Sequence, residues 1–267
     1  MFFKELYDYR FLLREIAAKN IKIQYRNSVL GVLWTFVQPL LTTLVLVIIF
    51  GKIFGRDDPD LVNYPIYLLS GRLLYEFYSK ATKRAMRSVT LSASVINKVK
   101  VPKYAYPIAS VLSEFVTGLI SLLVLVGFMV FYIVANDHPP HITKYAFLSF
   151  VPLVILFFLC IGVGLILSTL AVFFKDVEYL YDVFTMLLFY ATPIFYAPKA
   201  LGTGARITRL LEFNPLYSVV DMFRDCVLRG QLMDGGEVLY ASLFALGTVV
   251  LGGLLFKSQQ DKFILYL

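Results

Sequence analysis

Arg72, Glu76, Lys80, Lys83, Arg84 and Arg87 recur at steps of three and four, the spacing that gathers side chains on one face of a helix. Two chemistries suit such a row. Its cations can line a path for an anionic headgroup such as a phosphate. Alternatively the row can be a salt-bridge ladder between spans, with Glu76, four residues from both Arg72 and Lys80, as their partner on the same helix. Arg72 makes the row informative, because it falls about 12 Å inside an apolar stretch at a rise of ~1.5 Å per residue. An ionised group at that depth is costly and should face protein or water, with a partner.

Aromatic residues form a second set. Tyr75, Phe77, Tyr78, Phe173, Phe174, Tyr181, Tyr190 and Tyr196 are more than two interfacial belts require, in a chain that is 16% aromatic. Lipid-facing or belt placement is their default role. Their ring faces also suit stacking on sugars, with sliding contact rather than one tight site.

Other chemistry is missing. No phosphate-binding loop is present, since Gly202-Thr203-Gly204-Ala205 lacks the Lys and the strand–turn–helix context. His138 and His141 flank two prolines and have no third ligand nearby, which favours a solvated turn over a metal site. Cys160 falls in an apolar span and Cys226 in a segment expected outside, so both read as small hydrophobes rather than a disulfide. No catalytic set stands out.

The elements that must position these residues are membrane helices. The chain is 59% hydrophobic and only 16% charged. Its net charge of +7 is partitioned by topology, which argues for orientation and attraction to anionic headgroups, and against nucleic acid. From Lys80 to Lys103 there are seven Lys/Arg and no Asp or Glu, as short cytoplasmic loops require. The expected fold is an all-α integral membrane protein in one domain, 1–267, with six transmembrane helices at 30–53, 64–85, 106–135, 145–174, 179–196 and 238–256. Inner segments then hold sixteen of the 25 Lys/Arg, and both termini are cytoplasmic.

Three further segments complete the threading. Residues 1–28 carry Phe2, Phe3, Leu6, Tyr9, Leu13, Ile16 and Ala17 at helical spacing, which predicts an amphipathic helix in the inner interface. Residues 86–103 form a cytoplasmic segment in which Val89, Leu91, Ser94, Val95, Ile96 and Asn97 predict a short helix, with a small apolar face from Leu91, Val95 and Ile96. Residues 197–237 are too apolar for a solvated loop and too short in any part to cross. Asn214-Pro215 reads as a helix start and Gly230 as its stop, with Leu216, Val219, Val220, Phe223 and Val227 as one apolar stripe. With a preceding helix near 206–213, this predicts an external re-entrant hairpin, or a pair of helices lying on the surface.

Tyr25-Arg26-Asn27-Ser28-Val29-Leu30-Gly31-Val32-Leu33-Trp34, followed by Pro39, resembles the entrance to the first span of bacterial polysaccharide ABC-exporter permeases, the O-antigen, capsule and teichoic-acid exporters. Tyr64-Pro65-Ile66-Tyr67-Leu68-Leu69-Ser70-Gly71 resembles their second-span start. Asn97-Lys98-Val99-Lys100-Val101-Pro102 resembles the end of their coupling segment. Asn214-Pro215-Leu216 with Arg224-Asp225 resembles their external re-entrant helices. Arg72 stands where that pattern would lead one to expect an apolar residue.

The resemblance implies a half-transporter in the bacterial cytoplasmic (inner) membrane. Two copies of the chain would form the pore, and two copies of a separate nucleotide-binding ATPase would bind ATP and Mg, leaving this chain without a cofactor. The cargo would be a polysaccharide or polyol-phosphate polymer on a polyprenyl-pyrophosphate lipid, moved outward. Segment 86–103 would couple to the ATPase, and Asn214, Pro215, Phe223, Arg224 and Asp225 would belong to an external gate. Rival expectations are a permease for a small amphiphile, drug or lipid, an integral-membrane transferase, and a scaffold.

Overall fold

In the computed structural model the described residues are 8–266 apart from 27, 55–62, 97, 99–100, 136–142, 197–210 and 212. They form helices with no strand among them: α1 (Arg10–Tyr25), α2 (Trp34–Phe54), α3 (Tyr64–Leu91), α4 (Ala93–Ile96), α5 (Ala105–Ala135), α6 (Phe150–Phe173), α7 (Asp176–Ala191), α8 (Pro215–Arg224) and α9 (Gly235–Gln259). Short 3-10 turns lead into α2 and α6 and follow α9.

Four stretches of the described residues are long and apolar enough to cross a bilayer: Gly31–Ile49, Ala105–Ala135, Lys144–Phe173 and Gly235–Leu265. The other two expected spans differ. α3 has ample length at 28 residues, but its charged row lowers its hydropathy. α7 has 16 residues, about 24 Å at ~1.5 Å each, short of the ~20 residues a crossing takes. It also starts before position 179 and ends before 196. Asp176 and Glu178 favour an early start at the positive helix N-terminus. Pro193 disfavours helical backbone at Thr192 and ends it.

α6 is the centre of the bundle: 56% of its most apolar window is buried, against 11–17% in the other three spanning stretches. It packs on α9 and α3, with α5 and α8 beside them. Two contacts require glycine. A Cβ on Gly162 would lie 2.5 Å from the backbone of Thr248 and Val249, and one on Gly252 would lie 2.5 Å from the Gly162 carbonyl oxygen. Helix backbones that approach this closely gain dispersion and weak C–H···O contacts, the main attraction available between helices in lipid.

At the end of the bundle that holds the α1 and α4 residues, a second cluster joins Leu13 and Ala17 to Val89, Ile96, Tyr104, Phe256 and Phe263. The apolar stripe of α1 therefore faces protein rather than lipid alone. The reason is its neighbour α5, whose end supplies Ala105, Tyr106, Ile108 and Ala109 as an apolar platform. Phe2, Phe3 and Leu6 lie outside the described residues.

α8 begins as its sequence predicts. The Asn214 side chain accepts the Leu216 N–H at 3.0 Å, Pro215 follows, and the stripe Leu216, Val219, Val220, Phe223 and Val227 is buried in the main core. A π-turn, Asp225–Arg229, ends at Gly230 with φ 63°, a left-handed conformation that glycine adopts without strain. The partner arm expected near 206–213 lies almost wholly outside the described residues.

Candidate functional site

The charged row of α3 divides three ways. Arg72, Glu76 and Lys80 line a cleft of about 580 Å³ whose other walls are Leu41, Thr42, Val45 and Leu46 of α2, Tyr75 and Ser79 of α3, and Phe189 of α7. Lys80 Nζ lies 2.6 Å from Glu76 Oε1, a full ion pair. Arg72 comes only within 3.9 Å of Glu76, too far for a hydrogen bond. Arg72 Nη1 and Glu76 Oε2 are buried and without hydrogen-bond partners. The cleft thus has apolar walls and, at one edge, two cations sharing one carboxylate.

Glu76 and Lys80 also border a smaller polar cavity on their other side, lined by Gln24, Tyr25, Trp34, Gln38, Glu114 and Ser121 among others. Glu114 is held by Arg84, which also donates to Gln24 at 3.0 Å. Burial, reinforced by the Glu114 charge, pushes the Tyr25 phenol above its ordinary value.

Lys83 and Arg87 turn to α7 instead. Lys83 pairs with Asp182 at 2.7 Å and Arg87 with Glu178 at 2.9 Å. These two pairs join α3 to α7, while Lys80–Glu76 runs along α3 itself. These four side chains keep 32–47% exposure, so each pair contributes modestly.

The aromatic set disperses. Tyr75 donates to the Thr185 carbonyl at 2.5 Å and meets Phe189 edge-on, so it belongs to the cleft. Phe77 and Tyr78 are buried in the main core. Tyr181 is buried and donates to Thr82 at 2.7 Å. Phe173 packs on Phe263 and Tyr266, and Tyr196 donates to the Tyr190 carbonyl at 2.8 Å. Phe174 and Tyr190 are exposed.

A separate locus joins α8 to the chain after α7. Arg224 is 1% exposed, with its guanidinium 3.5 Å from the Tyr67 ring centroid. It donates to the carbonyls of Pro193 (2.7 Å), Tyr67 (3.0 Å) and Ile194 (3.3 Å), and to Ser70 Oγ (3.4 Å). Tyr64 and Tyr67 hydroxyls donate to the carbonyls of Phe195 and Tyr196. Asn214 donates to Thr192 Oγ1 at 3.0 Å. Asp225 turns away from Arg224 and accepts from Arg229 and Gln231. Of the expected gate residues, Asn214, Phe223 and Arg224 thus fix packing between α8, α3 and the end of α7.

In the expected coupling segment, α3 continues to Leu91 and α4 follows as a single turn. Leu91, Ser94 and Val95 are exposed, whereas Val89 and Ile96 are buried in the cluster shared with α1 and α5. The apolar face expected from Leu91, Val95 and Ile96 is therefore split, because Ile96 turns inward. Asn97 lies outside the described residues.

Sequence reasoning missed Phe189 in the cleft, whose only signal was one more aromatic in an aromatic helix. It also missed Gln38, Glu114, Thr117 and Ser121 beside the polar cavity. Their signal was available: Glu114, Thr117 and Ser121 form one polar stripe at helical spacing inside an apolar span.

Residues 12–228 match the family described as ABC-2 type transporter. An O-antigen export system permease protein, RfbA, from Klebsiella pneumoniae is 27% identical over 255 residues, covering 94% of this chain and 93% of that protein. A second RfbA, from Myxococcus xanthus, is 26% identical over 97% of this chain and 96% of its own length. The polysialic acid transport protein KpsM of Escherichia coli is 24% identical, with 92% of each chain covered.

Proposed function

Because the chain belongs to the ABC-2 type transporter family, we propose that it is the membrane-spanning subunit of an ATP-driven exporter that carries a lipid-linked polysaccharide outward across a bacterial inner membrane. The observation that carries the reading is end-to-end similarity to permeases named for O-antigen and polysialic acid transport, over 92% or more of this chain. The cleft supports it: a cationic edge beside an apolar wall suits an anionic group borne on hydrocarbon.

In this reading the functional unit is a two-fold dimer, since one copy of the bundle is too small to enclose a polymer-sized channel. α3 and α7 cross the membrane with the four apolar stretches, their charged and short segments shielded by neighbouring helices. Both termini and the α3–α5 connection face the cytoplasm, where Lys98, Lys100 and Lys103 attract anionic lipid. A separate ATPase docks on Leu91, Ser94 and Val95 and hydrolyses ATP. The α8 segment and the chain from Thr192 to Tyr196 form the outer gate.

The test is genetic. A strain lacking its own O-antigen or capsule permease receives this chain together with its companion ATPase, and surface polysaccharide is measured. Restored display supports the reading. Extrusion of a small amphiphile, with display unchanged, would replace it with a permease for small molecules.

A further inference from the structure

Arg72 Nη1 is a buried donor without an acceptor, and Glu76 Oε2, one turn away, is a buried acceptor without a donor. Buried polar groups are almost always satisfied, and the exceptions call for an explanation. Here both orphans belong to one ion-pair row, and that row separates two cavities of opposite character. On one side is the apolar cleft of Leu41, Val45, Leu46 and Phe189; on the other is the polar cavity of Gln24, Gln38 and Trp34. Lys80 borders both.

We propose that the Arg72–Glu76–Lys80 row is the seat of a sugar-bearing lipid phosphate, with the phosphate on Arg72 and Lys80, the hydrocarbon in the cleft, and a sugar hydroxyl on Glu76. Charge balance gives the first part. Two cations face one carboxylate, and that carboxylate is already held by Lys80 at 2.6 Å while Arg72 stands off at 3.9 Å. An added phosphate group offsets the excess positive charge of the row and supplies the acceptor that Arg72 lacks. The walls give the second part. A free phosphate has no use for Leu41, Val45 and Leu46, which lie within the apolar stretch Gly31–Ile49. The orphan acceptor gives the third: Glu76 Oε2 needs a donor beside the phosphate, and a hydroxyl on an attached sugar is placed to provide it. Gln24, Gln38 and Trp34 then receive the rest of that sugar by amide hydrogen bonds and ring stacking.

Glu76 acts as a competitor as well as a ligand. Glu76 holds Lys80 at 2.6 Å; a bound phosphate takes Lys80 and releases Glu76 toward the hydroxyl. The choice of a sugar-bearing lipid over an ordinary phospholipid rests on the proposed export function. The phosphate seat itself rests on the geometry.

Trp34 is the single tryptophan of the chain and lines the polar cavity, so its emission reports on the site. The full-length protein in lipid nanodiscs is titrated with a polyprenyl-diphosphate-linked sugar, with phosphatidylglycerol and with inorganic phosphate, and native mass spectrometry counts what stays bound. The sugar lipid should saturate the signal, and phosphatidylglycerol and inorganic phosphate should each bind at least about tenfold more weakly. Lys80→Gln should weaken the sugar lipid about tenfold or more, for the loss of one charge-assisted contact. Glu76→Gln should tighten it, because the amide frees both cations. A merely structural row predicts no gain from Glu76→Gln.

Unchanged affinity in both variants overturns the site. Equal binding of phosphatidylglycerol overturns the assignment to a sugar-bearing lipid and leaves a bilayer-lipid seat. Inorganic phosphate competing at lipid concentrations overturns the role of the hydrocarbon wall. Arg72→Gln is read only if it folds; the other two variants decide the matter without it. The genetic test separates the two proposals: restored polysaccharide display with no effect of either variant on binding removes this site and leaves the export function standing.

Discussion

The guanidinium of Arg224 occupies the space that a side chain on Gly71 would need: a Cβ built there collides with Nη2 and lies 3.2 Å from Cζ. Gly71 and the Arg224 network are thus one device. Arg224→Ala withdraws the hydrogen bonds to the carbonyls of Tyr67, Pro193 and Ile194, of which Tyr67 keeps the Ser70 hydroxyl and Pro193 the Tyr67 hydroxyl, at a cost of about 3 kcal/mol. Gly71→Ala should expel the guanidinium and lose a comparable amount. In the Arg224→Ala background the same change should be neutral or slightly stabilising, since alanine is the better helix former by ~1 kcal/mol. Thermal unfolding of the four proteins measures this cycle. Additive losses would show that the two residues act separately.

A second prediction concerns the α6–α9 crossing. Gly162→Ala and Gly252→Ala each push a methyl into backbone at 2.5 Å and should destabilise by about 1–3 kcal/mol. Gly253→Ala, one residue on, meets nothing within 4 Å and should be tolerated. Membrane abundance of the three variants gives the comparison, and equal loss at Gly253 would point to a general helix effect rather than a close approach.

The Lys83–Asp182 pair predicts rescue by exchange. Asp182→Lys puts two cations together across α3 and α7 and should lower surface polysaccharide in the complementation test of the proposed export function. Lys83→Asp combined with Asp182→Lys should restore it, while unfolding shifts by no more than ~0.2–1 kcal/mol, as exposed pairs allow. A double variant as defective as the single one would remove the pair as the cause.

Leu91 and Val95 are exposed while Ile96 is buried, and the three should respond differently to a charge. Leu91→Asp and Val95→Asp should leave the chain folded but reduce co-purification of the proposed companion ATPase. Ile96→Asp should lower membrane abundance outright, because it buries a carboxylate in the cluster with Val89 and Phe263. Loss of abundance in all three would place Leu91 and Val95 in the core instead of at a docking surface.

Much of this architecture was legible in sequence because membranes impose strong one-dimensional signals. The α2, α5, α6 and α9 stretches announce themselves by length and apolarity, and the start of α8 by Asn214-Pro215 and a buried stripe. What was not legible depends on who faces whom. The row from Arg72 to Arg87 looks uniform along α3, yet its members answer to α2, α5 and α7, and only the packing of those helices assigns them. Ile96 reads as part of an exposed face until the cluster drawn from α1, α3, α5 and α9 is seen enclosing it. Arg224 was noticed as part of a dipeptide, but its acceptors are main-chain oxygens, which no residue type advertises.

α7 is fastened twice. One end is tied to α3 through Glu178 and Asp182, and the chain just past the other is gripped by Arg224, Tyr64 and Tyr67. A rod anchored at one end can swing; a rod anchored at both ends can only push or pull. Both fastenings reach α3, through Lys83 and Arg87 at one end and Tyr64 and Tyr67 at the other, so α7 is strapped lengthwise to that helix and the two can shift only together. Arg224 clasps α8 to that paired strut at Pro193.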